Sequence, residues 1–359
     1  MKYELKVLLQ KIADNNELLV KLYRQAEYIK IAVAKKIRVN HKLKLFIRTL
    51  SYKSKWLTKL YLQANRIKMT VTKEVDDETF AKNKYRENTG RALNIRNPQT
   101  FDEKLWWLKL HYRNPLLTLC TDKYRVREYV RACGLDHILT ELYGVYEKTE
   151  DIDYDVLPDE FFLKCNHASG SNFLCANKNT FPKEKVHKEL DRALTENYYF
   201  QSREWNYKDI PPKIICEKVL KNKDNSPLVD YRFLCFHGVV RCILLDIDIC
   251  AEDGSHRFDS RGNVYDENLN LLNVKIEVDH QTFPTELVPK PDNFAVMRSY
   301  AEILSKPFPH CRVDLYNIDG GIYFGEITFY HAGGCNNIEP EEWAYKMGSW
   351  IDLLAIEDE

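Results

Sequence analysis

One stretch of the sequence reads Arg312-Val-Asp-Leu-Tyr-Asn-Ile-Asp-Gly-Gly-Ile-Tyr-Phe-Gly-Glu-Ile-Thr328, with an apolar run on either side of Asp319-Gly320-Gly321. Glycine-containing loops of three residues commonly close β-hairpins, so this pattern predicts two antiparallel strands. With a three-residue loop, Asp314 lies directly opposite Glu326. A two-residue loop would shift the alignment and weaken that pairing.

The polar side chains of this hairpin share one face of the predicted sheet. Arg312 faces Thr328 on the same side as the two acids, because side chains alternate with a period of two. Two opposed carboxylates repel each other, but a divalent cation between them reverses the effect. Oxygen ligands suit Mg²⁺ that bridges phosphate groups. The alternative is a solvent-facing polar surface with Arg312 as its counter-charge.

A second candidate site is the segment Phe161-Phe-Leu-Lys164-Cys-Asn-His167-Ala-Ser169-Gly170-Ser171-Asn172. Here a lysine near the end of an apolar strand precedes a loop of small hydrogen-bonding residues. Lysine supplies a point charge for phosphate, and loop amides and hydroxyls can surround its oxygens. One glycine is too few for a P-loop or a dinucleotide fingerprint. We expect His167 to shape the loop through a hydrogen bond rather than to bind metal.

A third candidate comprises Ile214-Ile-Cys-Glu217-Lys-Val-Leu220 and the later Asp230-Tyr-Arg232. A strand that ends in an acid followed by apolar residues can offer edge backbone groups to a purine. A later acid can bind ribose hydroxyls. Without other evidence, the two segments are an ordinary pair of strands.

The charge of the chain is unevenly distributed. The 359 residues carry 53 Lys+Arg and 53 Asp+Glu, a formal net charge of zero, which argues against a uniformly basic nucleic-acid binder. Residues 1–73, however, hold 18 basic and 4 acidic residues, a net charge of +14. The first glycine is Gly90 and the first proline is Pro98. This composition predicts a basic helical arm over 1–75.

Two main interpretations of the basic arm remain open, and nucleic-acid binding is a weaker third because no recognised motif accompanies the charge. The arm is either a solvated helical hairpin that docks on its own domain or on a second subunit of a homo-oligomer, or a segment that adsorbs to anionic membrane or polymer. Each basic residue near an anionic membrane contributes about 1 kcal/mol to the free energy of membrane binding. The chain has no signal-peptide pattern, no apolar run near the ~18 residues of a membrane span, and no CxxC among its ten cysteines. We therefore expect a cytoplasmic protein, with the arm available for peripheral contact at the inner membrane face.

The remaining chain alternates helical and strand patterns, which indicates an α+β fold. Thr100-x-x-Glu103 forms a capping box ahead of a helix predicted over 104–112, and Asp122 is predicted to cap a helix over 123–132. Further helices are predicted over 183–200, over about 292–305 and from about Pro340. The predicted strands cover 161–165, 173–176, 214–220, 231–236 and 239–246.

The order of these elements resembles that of the ATP-grasp ligases. The amino-acid motifs within them resemble one branch of those ligases, the TupA-like ATP-grasp family, named for teichuronopeptide synthesis. Together the resembling stretches span about 90–350 and leave the basic arm outside. They are Asn97-Pro-Gln-Thr-Phe-Asp-Glu-Lys-Leu105, Thr121-Asp-Lys-Tyr-Arg-Val-Arg-Glu-Tyr-Val130, Phe162-Leu-Lys-Cys-Asn-His-Ala-Ser-Gly170, Arg203-Glu-Trp-Asn-Tyr-Lys208, Arg312-Val-Asp-Leu-Tyr316 and Phe324-Gly-Glu-Ile-Thr-Phe-Tyr330.

The resemblance implies an ATP-grasp fold, in which two α+β subdomains hold ATP between them. After the arm at 1–75, it divides the chain into an N-terminal helical region at 76–155, a lid subdomain at 156–236 and a metal-binding subdomain at 237–359. It also implies contacts with ATP. Lys123 and Lys164 would contact the phosphates from two domains. Ser169, Gly170 and Ser171 would form a mobile phosphate lid. The purine would contact Glu217 and the backbone of Lys218, Val219 and Leu220, and Asp230 would bind the ribose.

The same resemblance implies the metal site and the catalytic residues. Asp314 and Glu326 would hold two Mg²⁺ ions. Thr328 stands where many ATP-grasp enzymes have a metal-binding asparagine, so its ligation departs from the family pattern. Arg312 would stabilise the transferring phosphoryl group or the acyl phosphate, with Lys164 as the second catalytic residue. Ala168 replaces a glycine expected in this branch.

The implied reaction joins a carboxylate to an amine. The carboxylate attacks the γ-phosphate of ATP, and an amine then displaces phosphate from the acyl phosphate to leave an amide. For this branch, the resemblance implies a uronic-acid carboxylate of a surface polysaccharide and an amino acid or amino alcohol. Candidate substrate contacts are Arg203, Trp205, Tyr207, Arg232, Arg257, His331 and Asn336.

Three other functions remain open at this stage. A sugar kinase on the same fold would make a stable phosphorylated product without an amine. A glycosyltransferase of capsule or O-antigen synthesis would turn over a nucleotide sugar without ATP. A non-catalytic assembly protein anchored by the basic arm would not need Glu326.

Overall fold

The computed structural model describes residues 74–168, 170–224, 226–249, 254, 260–276 and 281–357. The predicted basic arm therefore lies almost wholly outside the described residues. The chain divides after Gly90 into two compact units. In the first unit, helix α1 (Asp77–Thr89) begins after Asp76, whose carboxylate accepts a hydrogen bond from the Thr79 backbone N–H at 2.8 Å. Among the helices described, none has the length and apolarity needed to cross a membrane.

The second unit begins with three helices. The predicted capping box is confirmed in α2 (Phe101–His111), since the Thr100 hydroxyl and the Glu103 carboxylate each accept a backbone N–H of the other residue. The helix predicted over 123–132 is wrong at its start. Helix α3 (Pro115–Thr121) ends just before Asp122, and α4 (Val126–Ala132) begins four residues later. Asp122 accepts the N–H groups of the two residues before α4, so this cap sits in a turn between two helices.

Four short antiparallel strands form the first sheet, in the order β1-β4-β2-β3. Burial alternates along β2, so Leu163 and Cys165 face the core while Lys164 faces the other side. The helical prediction over 183–200 is interrupted, since the chain leaves helix at Thr195. The elements of this part are β1 (Leu142–Tyr146), β2 (Phe161–Cys165), β3 (Asn172–Cys175), α5 (Lys183–Leu194), α6 (Tyr199–Ser202) and β4 (Ile214–Glu217).

Five antiparallel strands form the second sheet, in the order β7-β6-β5-β8-β9. Helix α7 packs on it and covers a core that includes Phe233, Val313 and Met297. The bounds are β5 (Asp230–Phe236), β6 (Val239–Ile247), β7 (Arg261–Tyr265), α7 (Phe294–Ser305), β8 (His310–Ile318), β9 (Gly321–Thr328), α8 (Glu342–Ser349) and α9 (Leu354–Glu357).

The two sheets divide the chain differently from the boundaries expected at 155/156 and 236/237. Strand β1 precedes the first boundary, yet it pairs with β4 in the first sheet. Strand β5 precedes the second boundary, yet it pairs with β6 and β8 in the second sheet. Antiparallel pairing thus joins segments that lie on opposite sides of the expected boundaries.

The hairpin β8–β9 has a shorter loop than its sequence predicts. Its loop is Asp319-Gly320, both with positive φ (50° and 82°), and Ile318 pairs with Gly321. The predicted three-residue loop is therefore wrong. The opposition of Asp314 and Glu326 is nevertheless confirmed, because a bulge between Asp314 and Leu315 restores the register further along the strands.

Candidate active site

The two acids of the hairpin surround a guanidinium group. Nη2 of Arg312 lies 2.6 Å from Oδ2 of Asp314 and 3.0 Å from Oε1 of Glu326. The same nitrogen lies 3.2 Å from Oγ1 of Thr328, whose hydroxyl donates to Glu326 at 3.0 Å. The structure thus brings together all four residues that the sequence placed on one face.

Burial and neighbouring cations act in opposite directions on the two carboxylates. Burial raises the pKa of Asp314 to about 6, and the charges of Arg312 and Arg232 only partly oppose this rise. Burial also acts to raise the pKa of Glu326, but the charges of Lys123 and Arg312 outweigh it and lower the pKa to about 2. Nζ of Lys123 lies 3.9 Å from Oε2 of Glu326, whose side chain is 41% exposed.

The donor atoms of this cluster fit magnesium. Asp314, Glu326 and Thr328 offer only oxygens, the ligands that Mg²⁺ prefers. Within the described part of the chain, no three His, Cys, Asp or Glu side chains are grouped to hold a metal by themselves. Mg²⁺ commonly binds through one or two carboxylates together with the phosphates of its nucleotide, and this hairpin supplies that number. The three residues stay a prediction as ligands.

One predicted phosphate-binding lysine, Lys123, is held by the chain segment that directly follows the other, Lys164. Nζ of Lys123 donates to the carbonyl of Ala168 at 3.1 Å. The backbone N–H of Lys123 donates to the backbone carbonyl of Asn166, also at 3.1 Å. Burial lowers the pKa of Lys123, and the charge of Lys164 contributes to the decrease while Glu326 opposes it. The side-chain amide of Asn166 also donates to Asp122 at 2.9 Å. Asp122 thereby ties the turn that carries Lys123 to the end of β2.

Glu217 is paired with two cations at the end of β4. Nζ of Lys164 lies 2.6 Å from its Oε2, and Nη1 of Arg127 lies 3.6 Å from its Oε1. Arg127 was not among the site residues predicted from the sequence, although it lies in the same family-like stretch, Thr121–Val130, as Lys123. The backbone N–H of Lys218 donates to the backbone carbonyl of Glu141 at 2.9 Å. Binding of adenine by Glu217 and by the backbone of Lys218, Val219 and Leu220 stays a prediction.

The predicted phosphate lid joins β2 to β3. Gly170 adopts a positive φ of 85°, while Ser169 lies outside the described residues. The hydroxyl of Ser171 accepts the backbone N–H of Cys165 at 3.2 Å, which closes the loop onto its own strand. His167 is buried, with Nε2 3.1 Å from the carbonyl of Ala193, as expected for a residue that shapes the loop.

Asp230 lies in a charged cluster on the second sheet. Arg232 contacts the carboxylates of Asp230 at 3.1 Å and of Asp246 at close range, and its Nε lies 3.9 Å from Oδ2 of Asp314. Asp246 was missed, although it is the residue opposite Asp230 in the antiparallel pair β5–β6. The contacts of Asp230 thus belong to the second sheet, and its ribose role stays a prediction.

The segment that follows α6 holds three of the predicted substrate residues. Arg203 is buried with φ of 58°, and its Nη1 donates to the carbonyl of Phe200 at 3.2 Å. The ring of Trp205 lies 5.5 Å from the guanidinium carbon of Arg113. The ring of Tyr207 lies 4.8 Å from that of Tyr198.

The other predicted substrate residues have different surroundings. Nδ1 of His331 lies 3.0 Å from Nη1 of Arg312, so His331 borders the hairpin cluster. The amide of Asn336 donates to the buried carboxylate of Asp102 at 2.6 Å, a contact that joins α2 to the C-terminal segment. Arg257 lies outside the described residues.

Lys109 and Glu204 are buried charged residues that were missed from the sequence. Nζ of Lys109 donates to the carbonyls of Gly333 at 2.7 Å and Ser202 at 3.3 Å. Burial raises the pKa of Glu204 to about 7, and the charge of Lys109 opposes the rise. The signal was an acid between an arginine and aromatic residues in the stretch Arg203-Glu-Trp-Asn-Tyr-Lys208.

Lysines from two segments and an arginine beside an acidic oxygen cluster are what a nucleotide-phosphate site requires. The sequence model of the TupA-like ATPgrasp family matches residues 103–352. The chain belongs to this family. Membership confirms the predicted α+β ATP-grasp fold and an ATP-dependent ligase. Mg²⁺ as the metal stays a prediction.

The chain is also similar to several solved structures. A D-alanine–D-alanine ligase from Bacillus anthracis is 15% identical, with a TM-score of 0.39 over 68% of this chain and 71% of the ligase. An L-amino acid ligase from Bacillus licheniformis is 12% identical, with a TM-score of 0.39 over 64% of this chain and 49% of that ligase. A biotin carboxylase domain from Hydrogenobacter thermophilus, in complex with MgADP, is 13% identical, with a TM-score of 0.36 over 64% of this chain and 46% of that domain's chain. None of the curated proteins compared matches the chain.

Proposed function

We propose that this ATP-grasp ligase activates a uronic-acid carboxylate of a surface polysaccharide and joins it to the amine of an amino acid or amino alcohol. The carboxylate oxygen attacks the γ-phosphorus of ATP, the bond to the bridging oxygen breaks, and ADP leaves. The amine, once its ammonium form has lost a proton to solvent, attacks the acyl carbon with its nitrogen lone pair. The bond from this carbon to the phosphate oxygen breaks, phosphate leaves, and the nitrogen loses a further proton to solvent as the amide forms. General support comes from membership of the family.

One observation carries the assignment of the transfer site. Glu326 lies between Lys123 at 3.9 Å and Arg312 at 3.0 Å, although these cations come from a helix–helix turn and from the second sheet. A partly exposed acid between the half-buried Lys123 and the buried Arg312 is suited to a metal-bound triphosphate, whose negative charges the cations would neutralise. Mg²⁺ bound by Asp314, Glu326 and Thr328 would supply charge neutralisation for the phosphate oxygens.

The chain's own residues would act by positioning the phosphates of ATP and by neutralising their negative charge. Lys123 and Lys164 would hold the phosphates, and Arg312 would bind the transferring phosphoryl group. Cys165 lies beside Lys123, but burial raises the pKa of its thiol, which keeps it protonated near neutral pH. The substrate carboxylate is therefore the nucleophile, and no covalent intermediate with the enzyme is needed.

We assign the remaining predicted residues to the sugar and the nucleotide. The aromatic ring of Trp205 suits the face of a pyranose, and Arg232 suits a carboxylate. Asp230 would bind the ribose, and the loop that contains Gly170 and Ser171 would cover the phosphates. Loop closure would protect the acyl phosphate from water.

We further propose a cytoplasmic location and no role in nucleic-acid binding. The basic arm offers peripheral contact with anionic membrane or polymer, or contact with a second subunit. Deletion of residues 1–73 distinguishes these alternatives. Loss of binding to phosphatidylglycerol vesicles supports adsorption, whereas a change of oligomeric state in sedimentation supports the subunit contact.

A substrate screen with purified protein tests the function. The assay contains ATP, Mg²⁺, glucuronic or galacturonic acid, and one of glycine, L-alanine, L-serine and ethanolamine. Release of ADP with an amide product in mass spectrometry supports the ligase. A phosphorylated sugar formed without amine would establish the kinase instead, and turnover of a nucleotide sugar without ATP would establish the glycosyltransferase. The exposed-acid variant Glu286→Gln is the matched control for Glu326→Gln, which should abolish ADP release.

A further inference from the structure

The segment that contains Glu204 is attached to the turn that carries a phosphate-binding lysine. The buried amide of Asn206 donates to the hydroxyl of Thr121 at 2.7 Å. Thr121 precedes Lys123 by two residues at the end of α3. The position of Lys123 and that of the segment around Glu204 are therefore coupled by one buried hydrogen bond.

The same segment is attached on its other side to the turn that follows β9. Nζ of Lys109 bridges the carbonyls of Ser202 and Gly333, at 3.3 and 2.7 Å. Gly333 belongs to the short 3-10 turn His331–Gly334, which begins three residues after Thr328. Glu204 is thus held between the end of the metal-binding hairpin and the turn that carries Lys123, beside the proposed transfer site.

The carboxylate of Glu204 has no partner of its own in this setting. The residue is 5% exposed, and no hydrogen bond or ion pair reaches its carboxylate from the residues that the structure describes. A Cβ added to Gly333 would lie 4.0 Å from Oε1, so the carboxylate faces this turn. Burial of an unpaired carboxylate is costly, and the raised pKa of about 7 reflects that cost. Such a group is characteristic of a ligand site.

Two paired aromatic side chains are electrostatically coupled to Glu204. Tyr198 and Tyr207 are half-buried, with ring centroids 4.8 Å apart. The charge of Glu204 is the largest cause that raises the pKa of Tyr198, and the charge of Glu326 also contributes. Burial and the charges of the same two acids raise the pKa of Tyr207. Both rings therefore lie within electrostatic range of Glu204 and of the proposed metal ligand.

We propose that Glu204, Tyr198 and Tyr207 bind the ammonium group of the amine substrate, next to the acyl phosphate. A carboxylate supplies the opposite charge, and aromatic faces attract a cation. This inference rests on the proposed function, since only an amide-forming ligase needs an amine site. Lys109 does not fill the site, because two carbonyls hold its ammonium and the ring centre of Trp106 lies 3.7 Å away.

Hydroxylamine separates the amine site from the rest of the enzyme, because it is uncharged near neutral pH and traps acyl phosphates as hydroxamates. Wild type, Glu204→Gln and Glu204→Asp are assayed with ATP, Mg²⁺ and glucuronic or galacturonic acid, with hydroxylamine or with the amines of the panel. The control is Asp209→Asn, an exposed acid just beyond the segment. We expect Glu204→Gln to form hydroxamate within twofold of wild type, with KM for the amine raised at least tenfold.

The variants give distinct outcomes. Glu204→Asp should recover part of the amine affinity because it keeps the charge, and Asp209→Asn should match wild type. An unchanged KM for the amine in Glu204→Gln would overturn the amine site. Equal loss of hydroxamate and amide would also overturn it, since Glu204 would then support activation or folding. No hydroxamate with wild-type protein and either uronic acid would instead overturn the proposed function.

Discussion

Asp314 lies directly opposite Glu326 because Gly325 is left unpaired in β9. The loop of the hairpin is one residue shorter than the sequence suggests, and the bulge compensates for this difference before the strands reach the two acids. A Cβ at Gly325 would lie 3.0 Å from the carbonyl oxygen of Asp314. The bulge therefore links backbone geometry to the distance between two proposed metal ligands.

Substitution of Gly325 tests this link. We expect Gly325→Val to lower the free energy of unfolding by about 1–3 kcal/mol, because the added atoms crowd the backbone of Asp314. Binding of MgATP should weaken as well, since the carboxylates would separate or slip. Urea denaturation and nucleotide titration measure the two effects. Unchanged values for both would show that the bulge tolerates a side chain.

Loss of Lys164 should remove phosphate binding without loss of the fold. We expect Lys164→Ala to reduce ADP release at least ~10²-fold, the usual effect of removing one preorganised charge from a transfer site. The exposed lysine Lys221 provides the control, and Lys221→Ala should retain activity. Wild-type rates in Lys164→Ala would remove this lysine from the site.

Arg312 is expected to act as the counter-charge of the two acids when nucleotide is absent. It contacts both carboxylates, so Arg312→Ala leaves two acids without their shared cation. Without nucleotide, Mg²⁺ should therefore raise the melting temperature of Arg312→Ala by more than it raises that of wild type. Thermal denaturation at increasing Mg²⁺ measures this difference. Equal shifts in the two proteins would separate Arg312 from the metal site.

His310 predicts a pH dependence of stability that is independent of the reaction. The side chain is 2% exposed, and burial lowers its pKa from 6.5 to about 3 while Nδ1 contacts the Cys235 carbonyl at 2.9 Å. Below pH 6.5 the unfolded chain takes up a proton that the folded protein does not. His310 therefore costs stability as pH falls from 6.5 toward 3, by up to about 1.4 kcal/mol per unit.

The variant His310→Gln isolates this contribution. Asp102 acts in the opposite direction over the same range, since burial raises its pKa to about 7, but it is present in both proteins and cancels in the comparison. The stability advantage of wild type over the variant should shrink between pH 6.5 and pH 4.5. Urea denaturation at the two values measures it, and a constant difference would contradict a neutral buried imidazole.

Local patterns in the sequence were sufficient for much of the site. The capping box at Thr100 depends on residues three apart, and the alternation of a strand places the half-buried Lys164 on the face opposite the buried Leu163. The opposition of Asp314 and Glu326 was also predictable, although for an incomplete reason, since the loop and the bulge offset each other. The start of α4 was not predictable from the sequence, because Asp122 lies in a turn before the helix and contacts the distant Asn166.

The sequence by itself determined many of the helices and strands and the chemistry available, namely oxygen atoms on one hairpin face and lysines beside a strand end and a turn, because these depend on neighbours a few residues apart. Only the tertiary structure decided which distant groups meet. Lys109 contacts Ser202 and Gly333, which lie 93 and 224 residues further along the chain, and Glu204 is buried between them and Lys123. Such contacts arise from packing of whole segments, and no local pattern specifies them. Burial then raised the pKa of Glu204, which distinguishes this residue from the exposed glutamates of the same chain.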